Sequence, residues 1–407
     1  MNCYETLKQR GYVHQLTHEQ EIIELLNGEP ITFYLGIDPT ADSLHIGHFF
    51  ALTMARWLQD FGHHAIILIG GATALVGDPT GKLDMRTMLT KEQVEYNKKE
   101  VKDLVKMFVK ADTLIVDNAD WFKGRDYVDF MRDIAVHFNV SKMLSASCYK
   151  SRLENGGLTF LEMGYMLMQA FDFTLLKERH NCVLQIGGSD QWANIVAGVD
   201  LGRKLDHKDG KNVEVLFGLT CPLLVKADGE KMGKTASGTL WVSREKTDSY
   251  DFYQAFVNCF DEDVERLLSF FTRIDIDKIK EICKDDIISA KKLMAFEVTK
   301  LVHGEEEAVK VQKTAIEIFS GLGISENMPS LMIDNFNDIL ITELLVQAGI
   351  ASSKSDARRL IEGNGISINQ EKVTNIDLLV TKDHFKTEGL IIQKGKKTFL
   401  KITIDNQ

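Results

Sequence analysis

Short apolar runs rich in β-branched residues alternate with helical periodicity through the first half of this 407-residue chain. The runs are Ile31–Gly36, Ala65–Ile69, Thr113–Val116, Val183–Ile186 and Val213–Leu216. Runs this short and this apolar fit strands covered on both faces, with the intervening helices as the crossovers of a parallel sheet. Ligands of such sheets bind beyond the carboxyl ends of the strands. Asp38, Asp78 and Asp190 are expected at three of those ends. They read as a convergent site, or as the aspartates that turns commonly carry.

After the first run, Asp38-Pro39-Thr40 makes a turn, and Asp42 or Ser43 is the expected cap of the helix that follows. Phe50, Met54, Trp57, Leu58 and Phe61 recur at helical spacing and predict its buried stripe. His45 and His48 are three apart, so they share one face of its first turn. Unpaired N–H groups there favour phosphate, and Gly47 lets a flat ligand approach the backbone. Capping or core histidines are the plainer reading. A metal site is a poor one, for want of Cys, Asp or Glu at ligand spacing.

Far downstream, 226–238 form a polar loop containing Asp228, Gly229, Gly233 and Gly238, expected to be exposed and mobile. It follows an apolar run, Leu216–Val225, and carries Lys231-Met232-Gly233-Lys234-Thr235. Lysines in such a loop are commonly just solvated. With the two imidazoles they can instead surround a nucleoside triphosphate and its pyrophosphate leaving group.

The two clusters resemble the paired signatures of class I aminoacyl-tRNA synthetases. Further stretches are similar to the bacterial-type tyrosyl-tRNA synthetase family. They are Tyr34-Leu35-Gly36-Ile37-Asp38-Pro39-Thr40, Gly77-Asp78-Pro79-Thr80-Gly81-Lys82, the run from Tyr165 to Asp172, and the run from Gln185 to Trp192. The resemblance covers nearly the whole chain. One departure is Gly233, where the general class I loop carries Ser; Thr235 also replaces the final Ser. Altered ordering of the loop is the expected consequence.

The resemblance implies activation of L-tyrosine by ATP, with Mg2+ accompanying the ATP, and then transfer to the 3′ end of tRNA(Tyr). It implies that Thr40 and His45 contact the γ-phosphate, and that Lys82, Arg86, Lys231 and Lys234 close over the leaving group beside Thr235. Gly36, Asp38, Gly47, His48, Gly188, Asp190, Gln191 and Lys234 are the implied ATP contacts, with Asp190 on the ribose hydroxyls. Tyr34 and Asp172 are implied at the tyrosine hydroxyl, and Gln185 is a further implied tyrosine contact. Asp78, Tyr165 and Gln169 form the implied ammonium clamp. A phenol both donates and accepts, which a tyrosine and a carboxylate together satisfy. The spacing of Tyr165, Gln169 and Asp172 presents all three on one side of a helix. An ordinary amphipathic helix with Met163, Met166 and Met168 as its core is the plainer reading, and both can hold at once. Leu35 and Ala51 receive no polar role.

Other phosphate motifs fail. Val76 and Leu83 stand where a P-loop needs Gly and Ser or Thr, and Gly70-Gly71 does not extend to a dinucleotide fingerprint. Cys3, Cys148, Cys182, Cys221, Cys259 and Cys283 contain no CxxC pair. That spacing suits free thiols in a cytoplasmic protein without structural metal. No apolar run is long enough to cross a membrane, and the N-terminus has no signal-peptide architecture. The net charge of −11 argues against non-specific nucleic-acid binding and leaves local basic patches open.

The expected organisation is a Rossmann-like α/β catalytic domain with a helical insertion (1–220), a lysine loop and linker (221–248), and an α-helical domain (249–327). A linker (328–338) then leads to a small α+β domain (339–407). In this last segment, helices at Ile341–Ala348 and Ser353–Glu362 precede strands Ile366–Ile368 and Leu390–Ile392. It resembles an S4-type RNA-binding domain, with Lys354, Arg358 and Arg359 on the second helix and Lys394, Lys396, Lys397 and Lys401 near the end. A dimerisation appendage is the alternative. The resemblance further implies a homodimer, with Arg203 and Lys204 contacting the acceptor arm of tRNA. Competing readings are the related tryptophanyl enzyme, a non-catalytic RNA-binding protein on a synthetase scaffold, and a small nucleotidyltransferase.

Overall fold

A six-stranded sheet carries the first half of the chain. Its strands are β1 (Gln15–Leu16), β2 (Thr32–Ile37), β3 (His64–Ile69), β4 (Leu114–Asp117), β5 (Cys182–Gly188) and β6 (Phe217–Cys221). They lie in the order β1-β6-β5-β2-β3-β4, all parallel except for the antiparallel β1–β6 pair. The computed structural model describes residues 1–80, 88–154, 157–210, 215–235, 238–319, 330–333, 336–369, 371–385, 389–395 and 398–404, with backbone alone at 147, 148, 151, 234, 235 and 317–319. Lys82, Arg86, Lys396 and Lys397 lie outside the described residues.

Four expected strands are present within two residues of their predicted ends. The fifth is displaced: Val215 and Leu216 precede the strand, which runs from Phe217 to Cys221. Gly218 and Thr220 weaken the apolar signal there. Tertiary contact explains the glycine, since a Cβ at Gly218 would lie 2.3 Å from Ile195 Cγ2 on the covering helix Trp192–Lys208. The stripe of the Ile46–Asp60 helix also differs at its end. Phe50, Met54 and Leu58 are buried, but Phe61 is exposed and Trp57 is half-buried, with the guanidinium groups of Arg10 and Arg273 4.4 and 3.5 Å from its ring centre. The helix ends at Asp60, so Phe61 leaves the packed face.

The chain divides into two compact units, 1–247 with 255–298, and 248–254 with 299–407. In the first unit, Phe49 stacks on Phe271 and Phe50 packs at a tilt against Phe270, both on the helix Asp261–Phe271. Arg10 donates to the carbonyls of Ser269, Thr272 and Ile274, closing that helix's open end. The lysine loop of this unit contains a small antiparallel hairpin, β7 (Lys234–Thr235) with β8 (Gly238–Thr239).

The second unit contains β9 (Ser330–Ile333), β10 (Ile339–Leu340), β11 (Ile366–Ile368), β12 (Glu371–Lys372), β13 (Leu379–Val380), β14 (Leu390–Lys394) and β15 (Thr398–Ile404). Five of them form a sheet in the order β12-β11-β14-β15-β9. Helices Ile341–Gln347 and Lys354–Glu362 complete it, the second capped by Ser353. Ile341, Leu344, Leu345, Ile361, Ile366, Leu390, Ile392 and Ile402 form its apolar core. Within the expected linker 328–338, β9 is a strand parallel to β15. Its partner lies some seventy residues away, a pairing no local pattern displays.

Candidate active site

His45, rather than Asp42 or Ser43, caps the helix Ile46–Asp60. Its Nδ1 accepts the backbone N–H groups of Gly47 at 3.1 Å and His48 at 3.2 Å. An accepting Nδ1 leaves the neutral ring's proton on Nε2. The His45 and His48 rings stack with centroids 3.7 Å apart. Burial holds the His45 pKa below the ordinary imidazole value, with a smaller push from Lys231. Asp42 pairs with Lys246, and Ser43 Oγ accepts from the Ser243 N–H, so neither side chain is available as cap.

A cavity of about 830 Å³ opens over the carboxyl ends of the strands. Tyr34, Gly36, Asp38, Thr40, His45, Gly47, His48, Asp78, Tyr165, Gln169, Asp172, Gln185, Gly188, Asp190, Gln191 and Lys231 all line it. Asp38 follows β2 directly, and Asp190 lies in the 3-10 turn Ser189–Gln191 that follows β5. Asp78 instead follows the short helix Thr73–Val76 beyond β3. Leu35 and Ala51 contribute apolar wall.

At one end, Tyr34 and Gln185 are register partners on adjacent strands. The Tyr34 hydroxyl is buried with no hydrogen-bond partner among the described residues, as are Oε1 of Gln169 and of Gln185. Asp172 is 2% exposed, on the helix Phe160–His180 that also carries Tyr165 and Gln169. Met166 is buried in that helix, while Met163 and Met168 are half-buried. Asp172 Oδ1 accepts from Trp121 Nε1 at 2.7 Å and Oδ2 from Asn118 Nδ2 at 3.0 Å. Burial pushes its pKa up to about 8, against these two donors. Burial, then Asp172, raises the Tyr34 phenol well above its ordinary value.

Asn118 also donates to Thr73 Oγ1 and accepts from the Ala72 N–H. Thr73 donates to Asp38 Oδ1, and the Tyr165 hydroxyl donates to Asp38 Oδ2. Asp78 accepts from Thr80 and, at 2.6 Å, from Gln191 Nε2. Sequence reasoning missed Thr73, Asn118 and Trp121. The strand-end rule that marked Asp38 and Asp190 applies equally to Asn118, one residue past β4.

At the other end, Asp190 has its pKa raised by burial and by Asp78. Gly233 takes a φ of +101°, and a Cβ there would lie 2.7 Å from Ile46 Cγ2. The residue that departs from the general loop pattern therefore sits against the first motif. Lys234 and Thr235 form β7 through their backbone. Arg203 and Lys204, on the helix Trp192–Lys208, both pair with Asp200 at 2.8 Å. In the second unit Arg358 is exposed, Lys354 pairs with Glu343, and Arg359 pairs with Asp356. No cluster of three metal-ligating side chains occurs among the described residues.

A family model described as tRNA synthetases class I (W and Y) matches residues 26–320, and one described as Tyrosine--tRNA ligase SYY-like C-terminal domain matches residues 322–402. The Tyrosine--tRNA ligase of Clostridium botulinum is 48% identical across 99% of this chain and 100% of its own length. That of Clostridium kluyveri is 48% identical across 99% of both. Among solved structures, a C-terminally truncated mitochondrial tyrosyl-tRNA synthetase of Aspergillus nidulans superposes with a TM-score of 0.70 at 28% identity, covering 78% of this chain and 94% of that one. The tyrosyl-tRNA synthetase of Archaeoglobus fulgidus, crystallised with L-tyrosine, shares the fold, with a TM-score of 0.58 at 19% identity over 77% of this chain and 100% of its own. The chain belongs to the class I tRNA synthetases and, within them, to the tyrosine–tRNA ligase family.

Proposed function

We propose that this cavity makes tyrosyl-adenylate and delivers tyrosine to tRNA(Tyr), with the phenol bound beside Asp172 and ATP over the histidines. One observation carries the reading. A single cavity joins the unpaired Tyr34 hydroxyl and buried Asp172 at one end to His45, His48 and Lys231 at the other.

A tyrosine carboxylate oxygen attacks the α-phosphorus of ATP, and the bond from that phosphorus to the pyrophosphate oxygen breaks. The terminal ribose hydroxyl of tRNA then attacks the acyl carbon, losing its proton as AMP leaves. Neither step needs a protein nucleophile, so the residues act by positioning and charge stabilisation. His45 offers its Nε2–H to the γ-phosphate beside Thr40. Lys231, Lys234, Lys82 and Arg86 neutralise the departing pyrophosphate near Thr235, and Mg2+ enters with ATP as part of the substrate. Gly36, Gly47, His48, Gly188, Asp190 and Gln191 hold the adenosine, with Asp190 on the ribose. Asp78, Tyr165, Gln169 and Gln185 surround the tyrosine ammonium and backbone, and Asp38 orients Tyr165.

The working enzyme is a homodimer of the cytoplasm. Tyr127, Val128, Val136, Val140 and Phe160 are each more than half exposed, an apolar surface that a second copy would cover. Free thiols at Cys3, Cys182, Cys221, Cys259 and Cys283 suit a reducing compartment, and no helix among the described residues is long and apolar enough to cross a membrane. The regions 249–327 and 339–407 serve the tRNA, the latter as an S4-type module using Lys354, Arg358 and Arg359. The tRNA reaches it from the partner's catalytic domain.

Amino-acid-dependent ATP–pyrophosphate exchange tests the chemistry. Exchange with tyrosine, and none with phenylalanine or tryptophan, is expected. Exchange with tryptophan would move the assignment to the sister enzyme. Silence with all three in a folded protein would favour a non-catalytic RNA-binding role.

A further inference from the structure

The distal leg of the lysine loop is joined to the start of the histidine helix. Ile46 N–H donates to the Leu240 carbonyl at 3.2 Å, and Val242 N–H to the Leu44 carbonyl at 2.8 Å. His45 and Trp241 thereby face each other as an antiparallel bridge. Leu44, Ile46, Leu240 and Val242 are all buried beneath this contact. On the loop side, Leu240 N–H donates to the Gly233 carbonyl at 2.6 Å, and Gly233 itself lies against Ile46.

An ion pair follows the bridge. Lys246 Nζ lies 2.7 Å from Asp42 Oδ1 and 5.5 Å from the centre of the Trp241 ring. None of residues 240–246 is among those lining the cavity. The bridge is short, and a one-residue slip would turn Trp241 to the opposite face. A charge pair on one side and a buried apolar pair on the other oppose such a slip.

We propose that Asp42, Lys246 and Trp241 form a latch holding the lysine loop in register with His45 and His48, which makes Lys246 a positioning residue for adenylate formation. This rests on the assignment of Lys231 and the two histidines to ATP. Both members of the pair are about one-third exposed, so the latch contributes little to global stability. Its effect is expected in the rate, because small misplacements of catalytic groups are costly.

The test is tyrosine-dependent ATP–pyrophosphate exchange by the full chain. Lys246→Met and Asp42→Asn should each lower kcat about tenfold with KM for tyrosine and thermal midpoint unchanged. Lys246→Arg should retain the rate, and the interchange Asp42→Lys with Lys246→Asp should recover much of it. Unchanged kcat in Lys246→Met, or an interchanged protein no faster than the single variants, would overturn the latch. Lys231→Met, run alongside, separates the two readings. A normal rate there overturns the ATP assignment. A slow Lys231→Met with a normal Lys246→Met overturns the latch alone.

Discussion

The imidazole of His45 stacks on that of His48 with centroids 3.7 Å apart and planes 15° from parallel, while its Nδ1 accepts the His48 backbone N–H at 3.2 Å. One ring thus closes the helix start, fixes its own tautomer and rests on its neighbour. Burial lowers its pKa and so favours the neutral ring, which leaves Nε2–H as a donor without the cost of a buried charge.

Capping and catalysis by His45 separate in the variant His45→Asn. Asn is a good cap, so urea midpoints should stay near wild type. Adenylate formation should slow by about 10²–10³-fold, the usual effect of losing one such donor. In His45→Ala both roles go, adding roughly 1 kcal/mol of lost stability.

Asn118 holds Asp172 and Thr73 together at 0% exposure. Asn118→Ala should raise KM for tyrosine more than KM for ATP. Leaving these groups unpaired should destabilise the fold by about 1–3 kcal/mol. Steady-state exchange and chemical denaturation read the two effects. Equal changes in both KM values would count against its placement at the tyrosine end.

Tyr34→Phe removes a buried hydroxyl without a described partner. The empty protein should become more stable, since an unsatisfied group is gone. The preference for tyrosine over phenylalanine should narrow by about 1 kcal/mol, roughly fivefold, in kcat/KM for exchange.

The Asp172 carboxyl, raised to about 8, predicts a pH dependence of stability. Between its ordinary value and about 8 the folded chain keeps a proton that the unfolded chain has lost. Stability from this group is therefore greatest in acid and falls as pH rises through that window, levelling above it. Asp172→Asn should flatten this part of the profile when unfolding free energy is measured against pH. A parallel profile would show that the carboxyl does not carry it.

Charge reversal at Arg203 and Lys204 should weaken tRNA charging while leaving adenylate formation intact. Arg203 is the more informative of the two, with its side chain 55% exposed, because Lys204 also binds the His137 carbonyl at 2.6 Å. Equal loss of both activities would point to a structural role through Asp200.

Much of the site was legible because its motifs are local. Tyr34 lies in an apolar strand, and Tyr165, Gln169 and Asp172 follow one helical period. The Asn118–Asp172 bond joins positions 54 apart, and the Asp42–Lys246 pair spans more than two hundred residues. Neither has a local pattern. The strand Phe217–Cys221 was misplaced for a similar reason, since its glycine answers to Ile195 on another element.

Sequence alone determined the parallel α/β plan, the histidine and lysine motifs that line the cavity and the small terminal domain, because periodicity and turn chemistry act between near neighbours. Tertiary structure decided that His45 is a cap, that Asp172 is held by Asn118 and Trp121 at a raised pKa, and that Ser330–Ile333 is a strand. Asp42 and Ser43 are drawn off by Lys246 and Ser243, which leaves the cap to His45. The other two outcomes likewise depend on burial or on partners distant in the chain, which come into being with the packed fold.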